Sequence, residues 1–300
     1  MENPTTSNND RRPLAAGLPQ LAPIQKQGMP LKDSSILVLG LDASTSAVAR
    51  LFLLSGFAVA LLQPEAPRTL CRKMDFSDSW HEGSASLDGV EARRATSNAV
   101  FLSGLRSRAF IPLLTNPLAE VVERWPWDAL VDGRLPEERR YEKIKGRADL
   151  TIALGGPAVA GEDYDLVIDV DGPDPGAVIR SGPARAPSSG SDVAKFARVV
   201  ASKAGVFEAI ANIGDLIDEG AVLGMIGDAI VSAPAPGRLR GLRRAGSFVV
   251  GSDLVAEIRR DPKAAFSGCE RNVLAISRAV LFAVEMELAG IKPISLDDIF

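Results

Sequence analysis

The sequence is poor in the residues that ligate transition metals and form disulfide bonds. Of its 300 residues, one is histidine, His81, and two are cysteine, Cys71 and Cys269. The cysteines lie far apart and form no CxxC pair, so neither a disulfide framework nor a thiolate zinc site is expected. Such cysteine usage is typical of the reducing cytoplasm. We predict no metal ligand and no catalytic residue.

Long apolar runs and a strong charge imbalance are also missing. No run reaches the ~18 apolar residues of a membrane span. Residues 1–32 are rich in proline, asparagine and glutamine and lack the apolar core of a signal peptide, which predicts a flexible tail. The formal net charge of −4 argues against binding to nucleic acids or anionic membranes. With 46% hydrophobic residues, the chain is expected to be a cytoplasmic globular protein of two domains.

A strand-helix-strand pattern predicts the element on which the first domain is built. Residues 36–39 form a short apolar run of the kind found in strands buried on both faces. Ser44 or Thr45 can cap a following helix through its hydroxyl, and Gly56 can end that helix in the left-handed conformation. Residues 57–62 return as a second buried strand. The unit is a right-handed βαβ crossover and begins a parallel sheet.

The turn after the first strand is where a dinucleotide binds in such folds. The phosphate-binding pattern needs three glycines, for the turn, for approach of the pyrophosphate and for helix packing. In GLDASTSA at 40–47 only Gly40 remains, and Asp42 puts a carboxylate and a Cβ where the pyrophosphate would lie. The second strand ends in Gln63 and not in the acid that binds a ribose hydroxyl. We therefore predict a Rossmann-like scaffold without a nucleotide.

A degenerate cofactor site is the alternative, and its residues would follow the ends of the strands. The candidate cofactor-binding residues are Gly40, Asp42, Ser44, Gln63, Asp132, Gly155 and Gly156.

Strands and helices alternate over the following part of the chain, which predicts an α/β domain with a largely parallel sheet. A hairpin is expected around Asp88-Gly89, with arms at 79–86 and 90–95. Helices are predicted at 98–108 and 118–124, and further strands at 110–114, 129–131, 150–154 and 166–170.

The C-terminal part contains an internal repeat, in which residues 205–226 align with residues 237–258 when one residue is skipped. The matched pairs are Phe207 with Leu239, Ile210 with Leu242, Gly214 with Gly246, Ile217 with Val249, Gly220 with Gly251, and Ile226 with Ile258. Short strands broken by glycine turns at matching offsets predict two pseudo-symmetric halves of a small closed β-structure.

This repeat resembles the barrel-sandwich hybrid of biotinyl and lipoyl carrier domains. Carriers display their modified lysine on the hairpin between the halves, but the hairpin at 227–230 has none, and Lys203 is the only lysine from 202 to 262. We therefore expect a packing or docking module and no swinging-arm carrier. An amphipathic helix at 272–289 follows, with Gly290 as its stop.

These patterns predict an α/β fold: a Rossmann-like domain with a mostly parallel sheet, a small all-β barrel-sandwich domain and a C-terminal helix. The segments are a flexible tail at 1–32, the Rossmann-like domain at 33–182, a linker at 183–201, the barrel-sandwich domain at 202–261, and the helix and tail at 262–300.

Several motifs together resemble one protein family. They are the βαβ unit at 35–64, DFSDSWHEG at 75–83, LDGVEARRA at 87–95, FIPLLTNP at 110–117, ALVDGRL at 129–135, IALGGPAVAGEDYDLVID at 152–169, GAVI at 176–179 and the repeat. Residues 34–289 are similar to the selenium-dependent molybdenum hydroxylase accessory proteins of the YqeB type, which are related to XdhC-type xanthine dehydrogenase accessory factors. The resemblance implies a role in maturing molybdenum hydroxylases, by handling, sulfurating or inserting the molybdenum cofactor and binding the apo-enzyme.

The sequence departs from this family at polar positions. Where the family's first turn looks like GAGDLASG, Asp42 and Ala47 replace its later glycines, and its strand-end glutamate is Gln63. The family's GLGPGFTAG appears as ALGGPAVAG, and its two downstream histidines appear as Asp165 and Pro173. The resemblance thus implies a divergent member that keeps the scaffold and has changed or lost the chemistry.

Some polar residues have both a functional and a structural interpretation. His81, in a predicted strand, could be a ligand or base, but an ordinary strand histidine is favoured because no second histidine completes a site. Asp42, Asp132 and Asp165 could line an acidic cleft for a cation or a protonated pterin. We favour helix capping by Asp42 and turn formation by Asp132.

Three further features also have both a functional and a structural interpretation. Cys71, beside Arg68, Arg72 and Lys73, could be a thiol of lowered pKa that handles persulfide, although a solvated loop is favoured. A basic edge could meet an acidic partner or a phosphate, although solvated strand positions are the default; it comprises Arg238, Arg240, Arg243 and Arg244. Gly155-Gly156 could be an anion-binding nest or a plain turn.

Three functions fit these observations. The first is a non-catalytic accessory protein for a molybdenum enzyme, with a large client enzyme as partner and no resident cofactor beyond a transiently held molybdenum cofactor. The second is an oxidoreductase that uses NAD(P) or a pterin in the crevice. The third is a scaffold subunit of a larger complex. A homo-oligomer is compatible with each, and neither nucleic acid nor membrane is an expected partner.

Overall fold

The computed structural model describes residues 33–135, 139, 144–185 and 195–291. The predicted tails at 1–32 and 292–300, and most of the linker sequence at 183–191, lie outside these residues. Residues 196–200 of the predicted linker form a strand, because their apolar side chains pack into the C-terminal sheets.

Within the described residues, nine strands form a mixed and mostly parallel sheet. They are β1 (Ser35–Leu39), β2 (Ala58–Leu62), β3 (Ser84–Leu87), β4 (Val90–Arg94), β5 (Ile111–Leu114), β6 (Ala129–Asp132), β7 (Leu150–Leu154), β9 (Leu166–Ile168) and β10 (Val178–Ile179), in the order β10-β9-β7-β6-β1-β2-β5-β4-β3. A short pair, β8 (Val159–Ala160) and β11 (Gly182–Pro183), lies beside it. Six of the pairings are parallel, and they join the seven neighbouring strands in the order β4-β5-β2-β1-β6-β7-β9.

Helices cover both faces of this sheet. They are α1 (Ala43–Leu54), α2 (Asp78–Glu82), α3 (Asn98–Ser107), α4 (Leu118–Arg124) and α5 (Arg271–Leu288). In β1, Ile36 and Val38 belong to a core with α1 and α5, whereas Leu37 and Leu39 belong to a second core with α3 and α4. The strand is buried on both faces, as its unbroken apolar sequence predicts.

The predicted hairpin is confirmed at its turn and in its second arm, but its first arm is only partly a strand. Asp88 and Gly89 both have positive φ, 43° and 82°, as a tight two-residue turn requires, and β3 pairs with β4. The prediction of strand at 79–82 is wrong, because this part is helix α2 and His81 therefore lies in a helix. The buried Ser79 hydroxyl donates to the carbonyl of Phe76, a local contact that alternation of residue types does not reveal.

The C-terminal residues form two four-stranded antiparallel sheets around a third core, which we call the β-unit. Its strands are β12 (Phe196–Val200), β13 (Gly205–Ala209), β14 (Leu216–Ile217), β15 (Val222–Ile226), β16 (Ala229–Ser232), β17 (Gly237–Leu242), β18 (Phe248–Val249) and β19 (Leu254–Arg259), in the orders β12-β19-β17-β14 and β16-β15-β13-β18.

The repeat is visible in the strand pairing. In the first half β13 pairs with β15, and in the second β17 pairs with β19. Each half also lends its two-residue strand to the other, since β18 pairs with β13 and β14 pairs with β17. The matched residues Phe207 and Leu239 are fully buried, but Ile210 is exposed where its counterpart Leu242 is buried. Helix α5 then returns to pack on α1.

Candidate functional site

The first candidate site is the crevice at the carboxyl ends of β1, β6 and β7. In the sheet, β2 pairs with one side of β1 and β6 pairs with its other side. The direction in which successive strands are added to the sheet therefore reverses between β1 and β6. Open α/β sheets bind ligands at this kind of switch point. Gly40, Asp132 and Gly155 each directly follow or end one of these strands.

Asp42 caps helix α1, as the structural interpretation predicted, whereas the prediction that Ser44 or Thr45 is the cap is wrong. The Asp42 backbone is extended, and its carboxylate accepts from the Thr45 N–H at 2.8 Å and the Thr45 hydroxyl at 2.9 Å. Asp42 is an exposed residue, and desolvation of its carboxyl raises its pKa, whereas these hydrogen bonds lower it. The helix N-terminus, where a pyrophosphate would bind, is thus occupied by the protein's own carboxylate.

Asp132 lies at the centre of a buried ionic network in the same crevice, and none of its surface is exposed. Its carboxylate accepts from the N–H groups of Arg134 at 3.0–3.1 Å and from the hydroxyl of Tyr164 at 2.7 Å. Burial and the Asp132 charge raise the pKa of Tyr164, which therefore stays a donor. We call Asp132, Arg134, Arg139 and Tyr164 the crevice network.

Arg139 closes the crevice from the side of β7. Its guanidinium lies 3.8 Å from Asp132 and donates to the carbonyl oxygens of Leu154 at 2.8 Å and Gly155 at 2.9 Å. Since carboxylate, phenol and guanidinium are all bonded to one another or to backbone, the network is satisfied internally. Among the described residues, the donors of this network are therefore bonded to the protein itself, and the arrangement holds a buried charge pair.

The loops after β1 and β6 pack closely against each other. A Cβ on Gly133 would lie 2.2 Å from the Thr45 methyl carbon, and one on Gly40 would lie 3.4 Å from the Gly133 carbonyl carbon. The N–H of Gly40 donates to the Leu62 carbonyl at 3.0 Å. The first glycine of the degenerate motif therefore serves loop packing.

The other predicted site residues are distributed around this crevice. The Gly155 N–H donates to the Ile168 carbonyl at 2.9 Å, so it is not offered to an anion, whereas Gly156 is exposed with a φ of 72°. Gln63 is buried, and its carbonyl accepts from the indole N–H of Trp80 at 3.2 Å. Ser44 is half-buried in the first turn of α1.

The predicted acidic cleft of Asp42, Asp132 and Asp165 is wrong. Asp165 precedes β9 and accepts from the N–H and hydroxyl of Thr151, near the start of β7, so it lies at the opposite, amino edge of the sheet. No cluster of three or more His, Cys, Asp or Glu with the geometry of a metal site occurs in the described parts of the chain.

The segment 68–78 covers the start of α1 and touches the β-unit. The Phe76 N–H donates to the buried hydroxyl of Ser46 at 3.0 Å. Beside it, Asp75 accepts from the hydroxyls of Thr69 and Ser77 at 2.7 and 2.5 Å. Burial raises the pKa of Asp75 to about 6 despite these hydrogen bonds.

The same segment holds Cys71, and the proposed lowering of its pKa is wrong. Burial raises the pKa of the Cys71 thiol to about 12, since the thiol packs against the β-unit, where a Cβ on Gly241 would lie 3.2 Å from its sulfur. A thiol that stays protonated is a poor nucleophile. The basic neighbours of Cys71 in sequence suggested that cations would lower its pKa, but in the folded protein burial of the thiol raises it.

The interpretation of the basic edge as solvated strand positions is also wrong. Arg240 bonds Glu257 at 2.7 Å and Glu270 at 2.9 Å, and Arg244 bonds Glu82 at 3.0 Å and also pairs with Asp78. The backbones join as well, because the Leu242 N–H donates to the Leu70 carbonyl at 3.0 Å. These arginines tie the β-unit to the rest of the chain.

A second pocket, which sequence reasoning missed, lies at the carboxyl ends of β4 and β5. It measures about 310 Å³, and its aromatic wall includes Phe101, Trp125 and Trp127. Asn98, Asn116 and Glu120 supply polar groups at its rim. The signal available in the sequence was the WPW triplet at 125–127, which carries two of the three tryptophans. We call this the aromatic pocket.

The fold is that of a mixed α/β protein with a large, mostly parallel sheet, two four-stranded antiparallel sheets and a C-terminal helix. No protein-family model matches the sequence. The chain is 31% identical over 281 residues to the uncharacterized protein YqeB of Escherichia coli K12, and the alignment covers 90% of this chain and 51% of YqeB. The chain thus spans about half the length of that relative. The similarity to YqeB agrees with the motifs that suggested a YqeB-type protein.

Among solved structures, the chain is similar to an aspartoacylase family protein from Mesorhizobium loti, with a TM-score of 0.25 and 11% identity over 76% of this chain and 85% of that one. Similarity at this level supports no inference. No helix in the described residues combines the length and hydropathy needed to cross a bilayer.

Proposed function

We propose that this chain is a non-catalytic accessory protein that assists the maturation of a molybdenum hydroxylase and acts through its surfaces. The molybdenum part rests on the resemblance to YqeB-type accessory proteins. The non-catalytic part rests on one observation, the crevice network. A nicotinamide-dependent enzyme needs this space for a pyrophosphate, and here Asp132, Arg139 and Tyr164 occupy it.

The β-unit supports a docking role in this proposal. The sequence predicted a closed β-structure, whereas the strands form two separate four-stranded sheets. The exchange of short strands between the halves supports the interpretation as a barrel-sandwich hybrid. In the hairpin between β15 and β16, Asp228 is paired with Lys203, so the single nearby lysine is tied to a carboxylate and not displayed on the turn. A carrier function is thereby disfavoured.

One face of the sheet β16-β15-β13-β18 offers a surface for a client. Val206 and Phe248 are partners across β13 and β18 and are 48% and 69% exposed, and Ile230 on β16 is 64% exposed. We call these three residues the apolar outer face. Exposed apolar groups clustered on one sheet face mark contact sites more often than scattered ones do.

Affinity purification of the tagged full-length chain from cells, followed by mass spectrometry, tests the proposal. We expect a molybdenum hydroxylase to co-purify with the wild type and with Phe282→Ser, which removes an exposed apolar residue from α5. We expect the double variant Val206→Ser, Ile230→Ser to no longer co-purify with the hydroxylase. Enrichment of a large complex without a molybdenum enzyme would favour the scaffold function, and equal capture by both variants would contradict the docking surface.

The aromatic pocket favours a second candidate, binding of a pterin for cofactor transfer or for catalysis. Stacking on aromatic rings with polar groups at the rim suits a flat heterocycle. In a titration with biopterin, we expect the ligand to quench the tryptophan fluorescence of the wild type. Its affinity for Trp125→Leu is expected to be at least tenfold weaker. The absence of quenching in the wild type would contradict this candidate.

A further inference from the structure

A polar cleft of about 500 Å³ lies where residues 65–81 meet residues 243–253 of the β-unit. Its lining carries more cationic than anionic side chains. The arginines are Arg68, Arg72, Arg243 and Arg244, and the carboxylates are Glu65 and Asp253. None of the crevice network lines this cleft, so the two sites are distinct.

Part of this positive charge is neutralised within the protein and part is not. Arg72 lies 3.3 Å from Asp78, and Arg244 is bonded to Glu82 and Asp78. Arg68 is exposed, and among the described residues none forms an ion pair with its guanidinium. The Nε atoms of Arg243 and Arg244 are buried and lack a hydrogen-bond partner in the same described part of the structure. A buried donor without an acceptor is costly, so the protein's own acceptors do not fully satisfy these two guanidinium groups.

Arg68 and Arg243 lie close enough for their like charges to repel each other. Burial is the main cause that lowers the pKa of Arg243, Arg68 lowers it further, and Asp253 opposes both. An anion between these two guanidinium groups would relieve the repulsion.

We propose that this cleft binds a small organic phosphate, with Arg68, Arg243 and Arg244 on the phosphate and Phe248 against the organic part. Guanidinium groups match phosphate oxygens in geometry and lose less hydration than ammonium groups do. Phe248 lines the same cleft and is 69% exposed, so its ring offers the apolar surface that such a ligand needs. The volume lies within the range of small-molecule sites, and the enclosure between two structural units favours a small molecule over an acidic peptide. This inference does not depend on the proposed function.

Isothermal titration of the full-length protein with inorganic phosphate and with GMP, at constant ionic strength, tests the site. Arg68→Gln removes the exposed cation and leaves its backbone carbonyl, which accepts from Arg243 at 3.2 Å, in place. We expect both affinities to fall about tenfold in this variant, as loss of a charge-assisted contact predicts. The matched control Arg106→Gln, an exposed arginine on α3 outside the cleft, is expected to bind like the wild type.

Phe248→Ala separates the two parts of the site. The proposal predicts unchanged binding of inorganic phosphate and weaker binding of GMP in this variant. Absence of phosphate binding by the wild type, or equal loss in Arg68→Gln and Arg106→Gln, would overturn the proposal. Binding of a glutamate-rich peptide in the absence of phosphate and GMP binding would overturn it as well, because the cleft would then recognise protein carboxylates.

Discussion

Asp132 is the last residue of β6, and none of its surface is exposed; its carboxylate accepts hydrogen bonds from Arg134 and Tyr164. From the sequence, Asp132-Gly133 predicted a turn, but Asp132 instead ends strand β6, and its carboxylate accepts from the backbone N–H of Arg134 two residues further on. The partners could not be predicted, because Tyr164 is 32 residues away and only the packing of β6, β7 and β9 brings it close. Local chemistry is therefore readable from neighbours in sequence, whereas burial and long-range pairing are not. Cys71 illustrates the same limit, since its basic neighbours suggested a reactive thiol and the β-unit buries it.

Truncation of Asp132 is expected to be severely destabilising. Asp132→Ala removes the buried carboxylate that lies 3.8 Å from the Arg139 guanidinium and accepts from the Tyr164 hydroxyl, which costs about 3–5 kcal/mol of unfolding free energy. Tyr164→Phe removes one hydrogen bond from a carboxylate that keeps its other partners, at about 1–2 kcal/mol. Urea denaturation of the three proteins measures both values. A loss below 1 kcal/mol in Asp132→Ala would show that the network is not the buried unit described above.

Asp75 predicts a pH dependence of stability. Its pKa is raised from the usual 3.8 to about 6 in the folded state, so between these values the folded protein holds a proton that the unfolded chain releases. The contribution of Asp75 to stability is therefore fully present below about pH 4 and falls as the pH rises to about 6. The loss amounts to roughly 2–3 kcal/mol.

The matching measurement is the unfolding free energy of wild type and Asp75→Asn at pH 4.5 and 7.5. Asparagine does not ionise, so the variant gains stability relative to the wild type as the pH rises. A difference between the two proteins that is the same at both pH values would contradict the raised pKa.

At the scale of elements, apolar runs predicted the buried strands well. Strand β7 and helix α4 have the predicted bounds, and β1, β2 and α5 differ from them by one residue. These elements were predictable because each repeats one residue pattern over its length. Helix α2 was not, since its five residues are held by contacts such as that of the Trp80 indole with the Gln63 carbonyl.

Helix α5 is expected to stabilise the parallel sheet through one face only. Val280 is fully buried in the core shared with α1, whereas Phe282 on the same helix is 59% exposed. Val280→Ala should cost about 2 kcal/mol of unfolding free energy and Phe282→Ala about 0.5 kcal/mol or less. Thermal and urea denaturation of both variants gives the comparison. Equal effects would mean that α5 does not pack on α1 as described.

At the scale of the whole molecule, the β-unit and the sheet domain are joined by the segment 68–78 and by Arg240 and Arg244. The repeat predicted the internal symmetry of the β-unit, because glycine and apolar residues recur at matching offsets. The interface was not predictable, because it pairs Arg240 on β17 with Glu270 ahead of α5, and Arg244 with acids on α2, and these partners are distant in sequence. Both the proposed docking surface and the proposed phosphate cleft lie on the β-unit or beside it. The proposed binding surfaces therefore lie away from the crevice network.

Hydrogen exchange of the full-length protein, with and without 1 mM NADPH, tests the central claim most directly because it locates any binding. A dinucleotide in the crevice would protect the peptide that spans residues 40–47, whereas binding in the phosphate cleft would protect residues 243–253. The account predicts unchanged exchange at 40–47, since Asp42 caps α1 and the crevice network fills the switch point. Strong protection of 40–47 by NADPH would contradict it.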